Sequence, residues 1–255
     1  MLECGKKLPP HHAIIPFLHH SNFDMPLGLL GKKLGQTRVY NAQGVITPVT
    51  VVLAGPNRVL QCKSQQSDGY NAVQLGFDDQ KDHRLTKPLL GHIKKFQGAA
   101  VKRIKEFRDF SKEVKPGEVV GATLFAPGDY VDAIGVTKGR GFEGVVKRHH
   151  FAGGDSTHGA KGWHRRSGAI GQRLFPGTVM RGMRMPGHMG QVRRTAQNLQ
   201  VVQVREADNL LLIKGAIPGA NGDYVVIRES KKRPKGWKPH AERAEAAKKG
   251  EAKKK

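Results

Sequence analysis

Residues 138–194 constrain the fold of this chain more than any other stretch: those 57 positions hold 13 glycines, 12 Lys or Arg, five histidines and only two acids. A segment so rich in glycine and in charge of one sign cannot build a hydrophobic core of its own. A loop of that length without regular structure is uncommon inside a compact domain, and is usually functional or disordered. Bulky apolar residues nevertheless recur along it, namely Phe142, Val145, Val146, Phe151, Trp163, Ile170, Phe175, Val179, Met185 and Met189. A solvated linker has little use for them, so the segment is read as one that becomes ordered against a partner.

The flanks have a different character. From Gln36 to Phe77 short β-branched runs alternate with turn residues: Gln36–Tyr40, Val45–Leu53, Arg58–Lys63 and Tyr70–Phe77, separated by Asn41-Ala42-Gln43-Gly44, Gly55-Pro56-Asn57 and Ser67-Asp68-Gly69. This spacing predicts four strands of an antiparallel meander. Beyond the basic segment, Leu199–Arg205, Asn209–Lys214 and Asp223–Arg228 predict about three more. Tyr130–Val136 reads as a further strand, Lys87–Gln97 as a short helix, and Val101–Phe107 has a pattern too mixed to assign. Seven or so short strands around a long insertion point to a mainly β protein built on a small closed barrel, because closure removes exposed sheet edges. The expected organisation is an N-terminal extension at 1–25, a Greek-key-like barrel from 26–137 and 195–230 with a subsidiary α+β lobe at about 78–127, the basic loop at 138–194, and a tail at 231–255.

Charge separates these parts. The chain carries a formal +23, of which 138–194 holds +10 and 231–255 holds +8, whereas 1–137 holds +6 and 195–230 holds −1. Glycines let backbone N–H groups come close to phosphates, and arginine binds phosphate as a planar fork and stacks on unpaired bases. The loop has nine Arg to three Lys. Structured RNA is the partner that suits this mixture. No recognition helix, basic region leading into heptads, zinc knuckle or aromatic RNP pattern is evident, which favours recognition of shape over sequence.

Other chemistries fit poorly. Gly139-Arg140-Gly141-Phe142-Glu143-Gly144 spells GxGxxG, but a lone match is weak and it opens no helix after a βαβ strand. The pairs His11-His12 and His19-His20, and the cluster His149, His150, Asp155 and His158, lack a fixed third ligand or a carboxylate pair, so no metal and no cofactor is expected. A basic RNA-modifying enzyme or nuclease using that cluster is the rival reading, and a polycation without a folded barrel is a third. Cys4 and Cys62 have no disulfide or zinc spacing and are read as reduced, incidental thiols. No run approaches the ~20 apolar residues of a membrane-spanning helix, so no membrane partner is expected. Pro16 interrupts the patch Ala13–Leu18, which argues against a secretory signal.

Several motifs resemble, in order, the bacterial type of the large-subunit ribosomal protein three family. They are Gly28-Leu29-Leu30-Gly31-Lys32-Lys33-Leu34-Gly35-Gln36-Thr37, the run Val136–Phe142 with Gly144–Arg148, His158-Gly159, His164-Arg165, Gly168-Ala169-Ile170-Gly171-Gln172, Pro176-Gly177, Met185–Gly190 and Asn209–Gly219. The resemblance runs from Pro26 to Glu229. It implies a translation-factor-type barrel, a loop threading through large-subunit rRNA toward the peptidyl-transferase centre, direct rRNA binding early in assembly, neighbouring large-subunit ribosomal proteins, a place in the cytoplasmic ribosome, and no catalysis by the protein. The expected rRNA contacts are Lys138, Arg140, Lys147, Arg148, Arg165, Arg166, Arg173, Arg181, Arg184, His188, Arg193 and Arg194, with Trp163, His164 and Gln172 in the deep part of the loop. Gln172 matches the glutamine that bacterial members present for N5-methylation, implying a glutamine methyltransferase as partner, although Ala169 stands where Ser is common. Residues 1–25 match no part of the family, and Met25 just before the matched start is read as an alternative translation start, which an intact mass including Met1–Asp24 would contradict.

Overall fold

A computed structural model describes residues 27–235 except Ala42 and Gln97, together with Trp237. The expectations for 1–25, for a start at Met25 and for the tail beyond Trp237 lie outside the described residues. In order, the elements are β1 (Gly28–Tyr40), β2 (Ile46–Leu53), β3 (Asn57–Lys63), α1 (Gln65–Asp68), β4 (Ala72–Asp79), α2 (Lys87–Lys95), β5 (Val101–Arg108), β6 (Val119–Val120), β7 (Tyr130–Val136), β8 (Gly141–Glu143), α3 (Val145–His149), β9 (Gly187–Met189), β10 (Arg193–Arg205), β11 (Leu210–Lys214) and β12 (Tyr224–Glu229).

Six strands close a barrel in the order β1-β12-β7-β10-β11-β2, every pair antiparallel. Closure depends on two long strands that bend. The first residues of β1 pair with β12 and its later ones with β2, and the register shifts between Lys33 and Gly35. Likewise β10 pairs first with β7 and then with β11, with shifts at Ala196/Leu199 and Val201/Gln203. Such bulges turn a strand sharply enough to serve two neighbours. The bulge in β10 is held by side chains: the Asn198 N–H donates to Asp132 Oδ1 at 3.0 Å, and Ser230 Oγ donates to Asn198 Oδ1 at 2.7 Å.

The single meander expected for these runs does not form, because β2 and β3 are not paired. β1 and β2 belong to the barrel, whereas β3 and β4 join β5 and β6 in a second, four-stranded sheet ordered β5-β4-β3-β6. Alternation within a run predicts a strand but not its partner, because pairing is decided by residues far away in sequence. The expected helix forms as α2, with Ile93 buried and His92, Lys94 and Lys95 in its last turn, where cations oppose the helix dipole. The unassigned run Val101–Phe107 is β5.

The two sheets share one continuous core, with Leu29, Val52, Val131, Leu211, Ile213 and Ile227 from the barrel and Val59, Leu75, Phe77, Phe107 and Val120 from the second sheet. Their junction leaves no room for a side chain at Gly28, where a Cβ would lie 2.2 Å from the Phe107 ring. Fully buried Asn57 staples the same junction: its side chain accepts from the Leu30 N–H at 3.1 Å and donates to the carbonyls of Leu30 and Ala54 at 3.0 and 3.1 Å. A smaller cluster of Leu60, Ile93 and Val101 packs α2 onto the second sheet.

Candidate nucleic-acid interface

β7 runs from the barrel core straight into the basic segment, and β10 brings the chain back. Between them, the two arms pair closely. The Thr137 N–H donates to Val192 O at 3.0 Å, Gln191 N–H to Thr137 O at 3.1 Å and Arg140 N–H to Met189 O at 2.9 Å, after which β8 and β9 continue as a two-stranded ribbon. Gly190 allows this approach, since its φ is +80° and a Cβ there would lie 2.1 Å from Lys138 O. The ribbon leads into α3, which opens directly after Gly144. The GxGxxG stretch therefore opens no helix after a βαβ strand, as expected: the helix that follows it has five residues and comes after an antiparallel ribbon.

α3 is tied to the returning arm. An Arg148 guanidinium nitrogen donates to Met185 O at 2.6 Å, and His149 Nε2 lies 3.1 Å from the same carbonyl. Lys147 pairs with Glu143, so one of the segment's two acids is engaged within the stem. Further out, residues 150–186 contain turns and bends and no strand or helix. The Gly154 N–H donates to His164 O at 3.1 Å, and a Cβ on Gly154 would lie 2.1 Å from the Trp163 ring. Trp163 thus packs on the loop's own backbone while remaining 49% exposed, and the Arg166 guanidinium sits 5.4 Å from its ring centroid.

The expected contact residues fall into three groups. Lys138, Arg140, Arg148, His188 and Arg194 line one hollow of about 650 Å³ at the root of the projection, together with His149, Thr137, Met189, Gly190, Val192 and Gly219, and no acid lines it. Trp163, Arg165 and Arg166 line a second of about 410 Å³ beside α3. Gln172, Arg173, Arg181 and Arg184 are exposed along the outer part, as are His164, Lys147 and Arg193. Sequence reasoning passed over Leu174, Met180 and Met183, which are exposed alongside Phe175 at 90%. Their apolar character in a segment without a core was the signal available.

The histidine cluster is not assembled as a site. His149 faces the Met185 carbonyl, His150 ends α3 with a left-handed φ of +61°, and among the described residues no three His, Cys, Asp or Glu side chains converge as a metal cage.

Buried Lys33 supports the root from the barrel side. Its ammonium donates to Ile217 O at 2.8 Å and Gly219 O at 2.9 Å, in the turn before β12 that also lines the larger hollow. Burial lowers its pKa, the neighbouring charge of Lys138 lowers it further, and Asp223 partly offsets both.

Known proteins match this chain across the same region. The family model described as Ribosomal protein L3 matches residues 86–210, which contain the whole projection. The chain is 49% identical over 205 residues to the large ribosomal subunit protein uL3 of Deinococcus radiodurans, a match covering 80% of this chain and 95% of that protein. It is 47% identical over 213 residues to the uL3 of Akkermansia muciniphila, covering 82% and 100%. The uL3 of Solibacter usitatus is 46% identical over 214 residues, again covering 82% and 100%.

Proposed function

The chain belongs to the ribosomal protein L3 family, and from that premise we propose that it is a structural constituent of the large subunit of the cytoplasmic ribosome whose projection, 138–194, binds large-subunit rRNA directly. The barrel docks as a preformed body. The projection then lies along RNA, supports early assembly, and organises RNA near the peptidyl-transferase centre. The chemistry of translation is left to the RNA, and neighbouring ribosomal proteins complete the surroundings. The division into barrel, lobe, projection and tail belongs to the same reading.

The observation that carries this proposal is the acid-free hollow at the root, where Lys138, Arg140, Arg148, His188 and Arg194 converge on rigidly paired backbone arms. Convergent cations without a neutralising carboxylate favour a polyanion, and closely paired arms hold them in place before it arrives. Beyond the root, Arg165, Arg166, Arg173, Arg181 and Arg184 serve as phosphate contacts, and half-exposed Trp163 offers a surface to a base or ribose. Gln172 is exposed and so open to a methyltransferase. No observation favours the nuclease or RNA-modifying alternative; activity on bare RNA, abolished by a chelator, would be its signature.

Binding of the full chain to transcribed large-subunit rRNA tests the proposal. Neutralising about 6–10 phosphates makes affinity fall roughly 10³–10⁵-fold between about 50 and 200 mM salt. An affinity nearly independent of salt would overturn it.

A further inference from the structure

The basic projection is not the only cationic surface beside the barrel. Strand β5 reads Val-Lys-Arg-Ile-Lys-Glu-Phe-Arg from Val101 to Arg108 and forms one edge of the second sheet. Its inner side is laddered to β4 from Ala72↔Arg108 to Asp79↔Val101, with Lys102 skipped in the register. Its outer side has no strand partner among the described residues. Lys102, Arg103, Lys105 and Arg108 are all exposed there. The one acid of the strand, Glu106, is half-buried and paired with Lys63 at 2.9 Å, so it does not cancel the outward charge.

Charge on an open edge has a simpler explanation, since lysines there discourage other chains from adding as strands. That explanation accounts for the sign and position of none of these groups in particular, because scattered charges of either sign would serve. Here Arg103 and Lys105 face something, and Lys102 borders it beside Tyr224. A groove of about 700 Å³ runs between β5 and the root of the projection, with Arg103, Ile104 and Lys105 on one wall and Thr137, Lys138, Gly139 and Gln191 on the other. Tyr224 lines it too, with the Arg103 guanidinium 4.8 Å and the Lys102 ammonium 5.5 Å from its ring centroid. Two carboxylates belong to the same neighbourhood: Asp223 lines the groove, its Oδ2 accepting from the Ala220 N–H at 2.6 Å, and Asp78 accepts from the Tyr224 hydroxyl; Lys102, Arg103, Lys105 and Lys138 outnumber them.

From this arrangement we infer that β5 and the root of the projection form the two walls of a second RNA track, in which Lys102, Arg103 and Lys105 hold the phosphate backbone of an rRNA segment running between the sheets. The inference rests on the reading that the projection lies against rRNA, and it extends the contact surface into a part of the fold outside 138–194. Phosphate backbone suits the groove better than an added protein strand does, because the cations sit on both of its walls instead of along one strand edge. Backbone contact of this kind positions RNA without reading its sequence.

The test is salt-dependent binding of the full chain to transcribed large-subunit rRNA, comparing the wild type with the double variant Lys102→Gln and Lys105→Gln. This variant keeps Arg103 on Tyr224, and a thermal melt unchanged from wild type shows that the sheet is intact. Each phosphate contact contributes about 0.9 to the slope of log affinity against log salt, so the variant is expected to lose roughly two units of slope. A wild-type slope retained by the variant would overturn this inference and leave the parent reading standing. Failure of the wild type to bind rRNA would remove both. A photo-cross-linker placed at Ile104 in reconstituted subunits should yield RNA adducts, and adducts to protein alone would assign the edge to a protein strand and overturn the inference.

Discussion

The barrel and the projection are made by one chain under opposite rules. In the barrel, Leu29, Val52, Val131, Ala133, Leu211, Ile213, Val225 and Ile227 are completely buried, and each strand pairs on both sides. In the projection Val145 is the one buried hydrophobic residue, while Phe142, Leu174 and Phe175 are 78%, 87% and 90% exposed. The barrel is stable through area removed from water within the chain, about 25 cal/mol per Å². The projection leaves comparable side chains in water, so its stabilisation has to come from whatever it contacts. On the proposal that the projection lies against rRNA, exposed Phe142, Leu174 and Phe175 are residues suited to a surface outside the molecule.

The largest expected effect follows directly. Removing 150–190 should leave the melting temperature of the barrel within a few degrees of wild type, while incorporation into large subunits or peptidyl transfer is severely impaired. Normal subunits from the deletion would end the contrast, because they would make the projection dispensable. Point substitutions probe the same divide on a smaller scale. Ile213→Ala or Leu29→Ala, each at a fully buried site, should cost about 2–5 kcal/mol in urea unfolding. Phe175→Ala should stay within about 0.5 kcal/mol, as expected of a surface substitution. Equal costs at the two sites would mean that the projection carries a core after all.

The junction between the sheets gives an intermediate case. Asn57→Ala removes three hydrogen bonds and leaves the Leu30 N–H and the Leu30 and Ala54 carbonyls without that partner in a dry interior. A loss of about 1–3 kcal/mol per unsatisfied buried group is the expected scale, read from urea midpoints. A neutral substitution would show that the sheets are held by apolar packing alone.

Particular residues explain how far the sequence could be read. Tyr130–Val136 has the boundaries of β7, and α2 begins at Lys87, because a β-branched run and a periodic run after Thr86 and ahead of a basic turn are local signals. The projection stood out because composition is also local. The division of Gln36–Phe77 between two sheets was hidden, since nothing within β3 tells it to pair with β4 and β6 instead of β2. β5 was obscured by its edge position: its outward residues are cations, not the alternating polar and apolar residues of a half-buried strand. β1 begins at Gly28, earlier than the β-branched run suggests, because Gly28 and Gly31 are there for close approach; a Cβ on Gly31 would lie 2.8 Å from Leu53 O. α3 has five residues, too few for helical periodicity to show. Within the candidate site, the root hollow was foreshadowed by residue type alone. Its assembly needed the pairing of arms separated by some fifty residues.

Lys33 joins the two regions and carries the smallest expected effect. In sequence it is one cation among many, yet it is buried in β1 and its ammonium holds the turn carbonyls of Ile217 and Gly219. That turn underlies the root, where a Cβ on Gly135 would lie 2.7 Å from Pro218 O and Gly219 lines the hollow. Because burial and Lys138 lower its pKa below 10.5, the unfolded chain binds the lysine proton more tightly than the folded one does. Between the lowered folded value and 10.5 the unfolded state therefore holds more protons, and this group's contribution to stability rises with pH. The neutral amine keeps two N–H groups, enough to reach both carbonyls, although each bond loses its charge assistance on deprotonation. Lys33→Met removes the titration along with the hydrogen bonds, and the gap in melting temperature between wild type and variant should widen as pH is raised from neutrality toward 10.5. A gap that stays constant would place the Lys33 ammonium in contact with water and leave the root's platform to be held by the backbone alone.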